Sequence, residues 1–360
     1  MEKVVIKEKF TFYGALYFVK GVVDLLDYPL PNGAVVVVKE GTRLQIGGVK
    51  GQLDLGWVKL EKTRRRKIFN LPELVETALD GRAVWLRTRE TQNWVFVVSK
   101  ELWETREVKR YLLDVGISRG MGLPLTLGGD PEFEVVDPTS GEIIPAKDIP
   151  LFKEGDVNFP IGTDGDSYIA ELRPLPAYSE EEYVENFLAL VERVKEENVL
   201  LCTKGDMYPL GGHIHIGSPE ERIVKVLRNE VQSFVRALDD FVGRVILLTS
   251  GKARGGYKSL MAYRIKNYGW EYRTPPSSFY ADPEMVRIVY KLVKNIVGTL
   301  LIEGELAYDV LEDGRAKPEE YLRFLTQEET EYFLGFPERW ARGEISPFVP
   351  MGPAVSVAAG

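Results

Sequence analysis

Cysteine and histidine are nearly absent from this sequence of 360 residues, which contains one cysteine and two histidines. Because Cys202 has no second cysteine to pair with, an intramolecular disulfide and a zinc site built from four thiolates are both excluded. A chain without disulfides is typical of a reducing compartment, so we expect a cytoplasmic protein. The N-terminus also lacks the apolar stretch of a signal peptide, and no apolar run reaches the ~18 residues that a membrane span requires.

Basic residues are too few to favour nucleic acid or a membrane as the main partner. The chain has 46 Lys and Arg against 54 Asp and Glu, which gives a net charge of -8. Binding to a polyanion or to an anionic membrane needs clustered positive surface. The one strongly basic run, residues 62–67, is typical of a solvated face. We therefore expect no nucleic-acid partner and no membrane partner.

Short strand-like runs in the first third of the chain give way to long helical patterns. We predict one helix at 72–79, a helix from Ser99 to about 114, and a hairpin joining 83–87 to 94–98. Hydrophobic residues make up 44% of the chain, enough to bury the cores of about two domains. The sequence therefore predicts a small β-rich domain at 1–120, a larger domain at 121–345 and a C-terminal tail at 346–360.

Capping motifs mark the helices of the larger domain. In Ser179 with Glu182, and in Thr326 with Glu329, each side chain is spaced to accept a hydrogen bond from the other residue's backbone N–H group. Ser218 opens a similar motif, with a proline at the next position. The predicted helices run from 179 to about 198, from 218 to about 248, from 283 to about 302, from 318 to 325, and from 326 to a stop at Gly335.

Both histidines lie in one segment, residues 211–217, which reads Gly-Gly-His-Ile-His-Ile-Gly. Alternate side chains of an extended strand share a face, so His213 and His215 point one way and the two isoleucines point the other. Two interpretations fit this pattern. The imidazoles bind a ligand or metal, or they form the polar rim of an ordinary strand.

Four strand-like segments alternate ionisable residues with largely apolar ones, and each is bounded by glycine or proline. They are residues 129–135, 168–174, 212–217 and 270–275. Two acids separated by one residue carry little information, since a chain with this many acids has about eight such pairs by chance. The coincidence of four segments, one with both histidines, favours a functional site over a solvated face. If the four strands share one sheet, their charged side chains line one face of it.

The acids of these segments need compensating positive charge. Two carboxylates about 4 Å apart repel by roughly 4 kcal/mol at an effective dielectric near 20, so five on one face cannot all stay ionised unaided. Carboxylates with one or two imidazoles and no thiolate favour Mg²⁺ or Mn²⁺ over structural zinc. Arg173 and Arg273 lie among the acids and supply fixed charge for phosphate or carboxylate. The residues thus indicate a divalent-metal site that handles phosphate.

The order of these motifs resembles the catalytic domain of glutamine synthetase and of the glutamate-cysteine ligases. Gly-x-Asp-Pro-Glu at 128–132, Gly-His-Ile-His at 212–215 and Glu-Tyr-Arg at 271–273 most resemble the virus-associated carboxylate-amine ligases, or amidoligases, of that superfamily. The resemblance covers about 125–304. It implies an α+β fold in which a curved antiparallel sheet backed by helices forms a glutamine synthetase-like catalytic domain. It also implies ligation with ATP: a substrate carboxylate takes the γ-phosphate, and an amine then displaces phosphate from the acyl phosphate.

The resemblance implies roles for particular residues. Two or three Mg²⁺ or Mn²⁺ ions are implied, and the family's metal-binding positions are matched by Asp130, Glu132, Glu171, His213 and Glu271. His215 matches a histidine near the nucleotide phosphates, and Arg273 matches the arginine that contacts the transferred phosphate. Asp130 replaces the glutamate of glutamine synthetase but agrees with the viral-type ligases. A second acid of the middle region is open between Asp164 and Asp166.

Basic residues are frequent between Ser250 and Lys266. Lys252, Arg254 and Arg264 either belong to a mobile cationic loop that steadies the ATP phosphates or to a basic surface loop. On the first interpretation, Lys252 and Arg254 join His215 and Arg273 in nucleotide binding. The candidate catalytic residues are Arg273, His215, Arg173 and Arg264.

Two other functions fit the same residues. One is a metal-dependent kinase or ATPase that uses the site without an amine acceptor. The other is a binding or assembly protein that keeps the fold without turnover, although such a protein does not need Arg273. For a ligase, the substrates are a carboxylate and an amine, the amine being a small molecule or a protein terminus. The sequence leaves the oligomeric state open.

Overall fold

A computed structural model describes residues 125–152, 160–164, 168–250 and 259–350, together with shorter N-terminal segments. These segments are 3–7, 16–19, 23–24, 34–38, 44–45, 72–79, 82–88, 94–103, 105, 107–108 and 111–112. The chain divides into two compact units. One comprises Met1–Glu8, Leu125–Leu300 and Glu305–Gly360, and the other comprises Lys9–Pro124 and Leu301–Gly304. Within the described segments, no helix combines the length and the apolar character needed to span a membrane.

The described residues form strands and helices in mixed order. The strands are β1 Lys3–Lys7, β2 Leu16–Val19, β3 Val23–Asp24, β4 Ala34–Val38, β5 Leu44–Gln45, β6 Pro72–Ala78, β7 Ala83–Thr88, β8 Trp94–Ser99, β9 Thr126–Gly129, β10 Glu132–Val136, β11 Ile143–Ile144, β12 Ile161–Thr163, β13 Ile169–Leu172, β14 Leu200–Cys202, β15 Ile214–Gly217, β16 Tyr263–Lys266, β17 Gly269–Tyr272 and β18 Glu305–Asp309. The helices are α1 Lys100–Trp103, α2 Glu180–Lys195, α3 Glu221–Asn229, α4 Val231–Leu238, α5 Arg244–Ile246, α6 Pro283–Glu303, α7 Pro318–Tyr321 and α8 Gln327–Ala341, with a π-helical turn at Asp239–Gly243 between α4 and α5.

The unit that contains Lys9–Pro124 is built on a sheet in the order β2-β4-β8-β7-β6. The predicted hairpin is confirmed, since β7 and β8 pair antiparallel, and Trp85 and Phe96 pack in its core. The predicted helix at 72–79 is wrong. Its glutamates, leucines and alanines favour a helix, but the segment pairs with β7 as β6, with a register shift between Leu74 and Glu76. The helix predicted from Ser99 begins as α1, and Ser99 Oγ accepts a hydrogen bond from the Leu102 N–H.

Two antiparallel sheets organise the other unit and together curl into a half-barrel. One has the order β16-β17-β15-β9, and the other has the order β11-β10-β13-β12 with β14 also paired to β10. On the sequence alone, the four charged segments could share one sheet. They are instead divided between two. At the N-terminus, β1 pairs with β18.

The helices of this unit begin largely where the capping motifs predict. Ser179 Oγ accepts from the Glu182 N–H at the start of α2, and Thr326 with Glu329 forms a complete capping box at α8. α6 also follows its prediction closely. The helix predicted from Ser218 starts three residues late, because Ser218 Oγ accepts from the Glu220 N–H in the preceding turn.

Three predicted helix ends are wrong. The helix predicted at 318–325 ends at Tyr321 as α7. The long helix to about 248 is interrupted at Glu230, whose backbone leaves the helical region at φ -107° and ψ 19°, and again by the π-helical turn. The helix predicted to stop at Gly335 continues as α8 to Ala341. A glycine lowers helix propensity but ends a helix only where the chain adopts a capping conformation.

Candidate active site

The two sheets meet in the chain at Asp130 and Pro131, which separate β9 from β10 by only two residues. Backbone hydrogen bonds fix this crossing: the Leu172 N–H donates to the Pro131 carbonyl at 3.1 Å, and the Glu132 N–H donates to the Gly211 carbonyl at 3.0 Å. Asp130 is thereby placed where side chains from both sheets converge.

In the four-stranded sheet, register alone places three site residues in a row. His215 of β15 lies directly opposite Glu271 of β17, and Glu271 lies directly opposite Arg264 of β16. Directly opposed residues of antiparallel strands project from the same face of a sheet. Trp270 and Tyr272 alternate with Glu271, and both are fully buried in the core.

In the other sheet, the same principle opposes two acids. Glu132 of β10 pairs directly with Glu171 of β13, and both side chains are buried. Glu132 is partly compensated by the backbone, because its Oε2 accepts a hydrogen bond from the Gly211 N–H at 2.6 Å. Arg173 forms an ion pair with Glu171 and also donates to the Thr163 carbonyl at 3.2 Å.

Both histidines converge on one oxygen of Asp130. His213 Nδ1 lies 3.1 Å from Asp130 Oδ1, and His215 Nε2 lies 3.2 Å from the same oxygen. Among the described residues, no side chain completes a well-directed hydrogen bond to His215 Nε2, although the atom is buried. Asp130, His215 and Glu271 each place a potential ligand atom within 4.8 Å of the others.

His213 lies deeper than His215 and is surrounded by carboxylates. Besides Asp130, its Nδ1 lies 3.5 Å from Glu271 Oε1 and 3.8 Å from Glu132 Oε1. The local sequence explains how the ring fits. A Cβ at Gly211 would lie 2.2 Å from His213 Nε2, so a larger residue there would displace the imidazole.

The acids of the site differ in their pKa. Burial raises the pKa of Glu171 to about 9, with the charge of Asp130 acting in the same sense and Arg173 opposing it. Burial also raises the pKa of Glu132 to about 7, against the charge of His213 and the Gly211 hydrogen bond. For Asp130, burial is outweighed by both histidines, which lower its pKa. Glu132 and Glu171 are thus carboxylates whose ionised forms need additional positive charge to be favoured at neutral pH.

Glu271 shows the opposite balance although it is fully buried. Burial and the charge of Asp130 raise its pKa, but Lys266, His213 and Arg273 together lower it. Lys266 Nζ lies 2.8 Å from Glu271 Oε2, Arg273 forms an ion pair with Oε1, and Arg264 lies farther away at 3.8 Å. The pKa of His213 is raised because its bond to Asp130 and the nearby carboxylates outweigh burial, so its protonated form is favoured.

A cleft of about 760 Å³ opens over these residues. Its charged and histidine lining consists of Asp130, Asp164, Glu171, Arg173, His215, Arg264 and Lys266. Apolar surface from Pro174, Pro176, Pro219 and Tyr268 lies along the same cleft. Glu132, His213 and Glu271 are almost fully buried and support the lining residues from behind.

Not every residue predicted for the site can be placed. Asp164 lines the cleft, and its charge raises the pKa of both Glu132 and Glu171, whereas Asp166 lies outside the described residues. Lys252 and Arg254 also lie outside them. Glu134 alternates with Glu132 along β10 but serves the fold, since its Oε1 accepts the N–H groups of Met207 and Tyr208.

Sequence reasoning missed Lys266 and Tyr268. Lys266 follows Arg264 by two residues on β16, so strand periodicity could have placed both side chains on the site face. Tyr268 gave no such signal. It lies in the turn between β16 and β17, where its ring centroid is 5.7 Å from that of His215.

The donor set fits a divalent cation that prefers oxygen ligands. Asp130, His215 and Glu271 offer one imidazole and two carboxylates at ligating separations, and His213, Glu132 and Glu171 adjoin them. Cys202, the only cysteine, is buried in β14 and belongs to none of these contacts. A carboxylate-rich set with imidazole and without thiolate is typical of Mg²⁺ or Mn²⁺ sites.

Comparison with known proteins identifies the class of enzyme. Residues 127–308, about half of the chain, match the family model described as phage phiEco32-like COOH.NH2 ligase-type 2, a class that joins a carboxylate to an amine. The chain belongs to this family, and the resemblance to the virus-associated carboxylate-amine ligases is confirmed. The matched residues run from β9 to β18 and include all the described acids and histidines of the site.

Other comparisons are more distant. No curated protein matches the chain. Among solved structures, a bifunctional glutathione synthetase from Pasteurella multocida is similar at 12% identity and a TM-score of 0.35, over 66% of this chain and 49% of that one. The chain therefore spans about half the length of that protein.

Proposed function

We propose that this protein is an ATP-dependent carboxylate-amine ligase that forms an amide or isopeptide bond through an acyl phosphate, on a glutamine synthetase-like catalytic domain. Family membership supports joining a carboxylate to an amine. One observation supports the use of ATP: His215, Glu271 and Arg264 lie in a row across the sheet, with Asp130 at the edge of that row. The row combines side chains that can bind a metal ion with a basic side chain that can bind phosphate.

In this proposal the acids and histidines bind metal ions, and the basic residues bind phosphate. Asp130, His215 and Glu271 would hold the first divalent cation, and Glu132, Glu171 and His213 would contribute ligands to a second. Bound Mg²⁺ or Mn²⁺ supplies neutralisation of the carboxylates and of the ATP phosphates. Arg273 and Lys266 hold the transferred phosphate, and Arg264 reaches it from the cleft surface. His215 and Tyr268 border the nucleotide phosphates.

The proposed reaction has two steps. An oxygen of the substrate carboxylate attacks the γ-phosphorus of ATP while the bond from that phosphorus to the β,γ-bridging oxygen breaks, which gives an acyl phosphate and ADP. The amine nitrogen then attacks the acyl carbon and loses a proton, and the bond from carbon to the phosphate oxygen breaks. Phosphate leaves and the amide remains. Arg273, Lys266 and Arg264 would stabilise the charge that develops on phosphoryl oxygens in both steps.

The test is to incubate the protein with ATP, Mg²⁺ and a panel of amino and dicarboxylic acids, with hydroxylamine as a permissive amine. We expect equal amounts of ADP and acyl hydroxamate with particular acids. Glu132→Ala should abolish both products, because it removes a buried carboxylate at the centre of the site. Glu134→Gln is the matched control, since this acid lies two residues farther along the same strand and outside the cleft.

Other outcomes identify the rival functions. ADP without hydroxamate would indicate a kinase or ATPase. Unchanged turnover in folded Glu132→Ala would contradict the assigned site. Absence of any reaction, together with absence of ATP binding, would support a binding or assembly protein.

A further inference from the structure

Two adjacent acids in the π-helical turn have no part in the site described above. Asp239 and Asp240 are 2% and 6% exposed, which is rare for aspartate. Each accepts a hydrogen bond from a buried tyrosine: Tyr272 Oη donates to Asp239 Oδ1 at 2.6 Å, and Tyr308 Oη donates to Asp240 Oδ2 at 2.7 Å. The two carboxylates are therefore similar in burial and bonding but are tied to different strands.

Asp239 is tied to the two strands that carry the cations of the site. Tyr272 lies in β17 between Glu271 and Arg273, with its side chain on the opposite face of the sheet. The other oxygen, Asp239 Oδ2, accepts the backbone N–H of Met261, two residues before β16. Next to it, the Arg273 N–H donates to the Ala262 carbonyl at 2.9 Å.

Met261 needs such an anchor because its backbone is strained. Its φ is +60°, in the left-handed region that residues other than glycine rarely adopt. A strained conformation persists only where the surroundings hold it. The bond from the Met261 N–H to Asp239 provides that hold immediately before the strand with Arg264 and Lys266.

The π-helical turn permits the close approach of Asp239 to β17. A Cβ at Gly243 would lie 2.4 Å from Tyr272 Oη and 2.7 Å from Asp239 Oδ1. The hydrogen bond between the carboxylate and the phenol thus occupies space that only a glycine leaves free. π-Helical turns inside α-helices are frequent at functional sites.

We propose that Asp239 is a positioning residue, which fixes β16 and β17 from behind so that Glu271, Arg273 and Lys266 are held in register for metal and phosphate. This inference rests on the proposed function. In this proposal Asp239 acts on the three side chains through Tyr272 and the Met261 backbone.

Asp240 provides an internal control. Besides Tyr308 in β18, it contacts Arg244, with 3.2 Å between Asp240 Oδ1 and Arg244 Nε, and its carbonyl accepts the Ala316 N–H at 2.8 Å. None of these partners lines the cleft. Loss of Asp240 should therefore cost stability without disturbing the site.

The test compares two pairs of variants in the full chain: Asp239→Asn with Tyr272→Phe, and Asp240→Asn with Tyr308→Phe. The side-chain amide of asparagine carries N–H donors, and these would face the Tyr272 hydroxyl and the Met261 N–H, which both donate to Asp239. Tyr272→Phe removes a single hydroxyl and is the milder change. The readouts are the melting temperature, the Kd for Mn²⁺ alone, and hydroxamate formation as a function of Mg²⁺ concentration.

We expect similar losses of melting temperature in both pairs. Only Asp239→Asn and Tyr272→Phe should raise the Kd for Mn²⁺, by about tenfold, as other changes behind a metal ligand do. They should raise the half-saturating Mg²⁺ concentration by a similar factor.

Equal Mn²⁺ affinities in the two pairs would overturn the positioning role and leave Asp239 as a stability residue. A difference in Mn²⁺ affinity without hydroxamate formation by the wild type would overturn the proposed function alone.

Discussion

Glu171-x-Arg173 and Glu271-x-Arg273 are the same local motif in two different sheets, and they behave in opposite ways. Each arginine forms an ion pair with its own glutamate. Yet burial and neighbouring acids raise the pKa of Glu171 to about 9, whereas Lys266, His213 and Arg273 together outweigh burial and lower that of Glu271. The difference shows that neighbours brought in by the fold, and not the motif, decide how each carboxylate ionises. On the Glu171 side of the site, Arg173 alone does not offset burial and the neighbouring acids, and this is the charge that the proposed divalent cation would supply.

The largest expected effect separates the two arginines. Arg273→Gln should lower kcat about 100-fold or more, because in the proposed function its charge holds the transferred phosphate. Arg173→Gln should lower kcat only about tenfold, since the proposed function gives Arg173 no contact with the transferred phosphate. Steady-state kinetics of hydroxamate formation at saturating Mg²⁺ measures both. Equal losses would remove the distinction between the two motifs.

Metal affinity should depend on pH through the acid-rich side. The pKa values of Glu132 and Glu171 are raised to about 7 and about 9, so in the metal-free protein these two carboxyl groups bind protons near neutral pH. A metal ion that binds to them must displace those protons. These raised values also mean that stability of the metal-free fold falls as pH rises from about 4.5 towards 9, because the folded state binds more protons than the unfolded state does.

The gain in melting temperature on adding Mg²⁺ should therefore grow between pH 6 and pH 9. Thermal unfolding with and without metal measures it. In Glu171→Gln, the gain in melting temperature on adding Mg²⁺ should no longer increase above about pH 7. A gain that does not change with pH, or that shrinks as pH rises, would contradict the assignment of these acids to metal.

A smaller effect is expected from making Glu271 resemble Glu171. Lys266→Met keeps much of the side chain's apolar length but removes the ammonium 2.8 Å from Glu271 Oε2. We expect kcat to fall about tenfold and the pH at half-maximal rate to rise, since the pKa of Glu271 loses one of the contacts that lower it. The pH-rate profile is the measurement. Lys317→Met, at a lysine outside the cleft, should leave the profile unchanged.

The smallest effect concerns a paired acid outside the site. Lys291, the Thr326 N–H and Arg287 outweigh burial and lower the pKa of Glu329 to about 2. Its stabilising contribution is thus complete above about pH 4.5 and lost as pH falls towards 2. Glu329→Gln should cost about 1 kcal/mol at neutral pH, after allowance for solvent screening, and nothing near pH 2. Denaturant unfolding at both pH values tests this, with exposed Glu331→Gln as the control.

Local patterns predicted the elements of the site better than their arrangement. Strand alternation placed His215 and Glu271 on extended segments, and capping boxes located Ser179 and Thr326. The division into two sheets at Asp130 depends on backbone pairing with distant segments, for which no local signal exists. The π-helical turn at Asp239 was likewise not predicted, because a single extra residue shifts the apolar pattern of a helix by only one position.

The most direct measurement of the central claim follows oxygen atoms. A substrate acid identified by hydroxamate formation is labelled with ¹⁸O in both carboxylate oxygens and incubated with ATP, Mg²⁺ and hydroxylamine, and the phosphate is analysed by mass spectrometry. Passage through an acyl phosphate predicts one ¹⁸O in the phosphate for each hydroxamate formed. Phosphate without label, or label in AMP instead, would contradict the account.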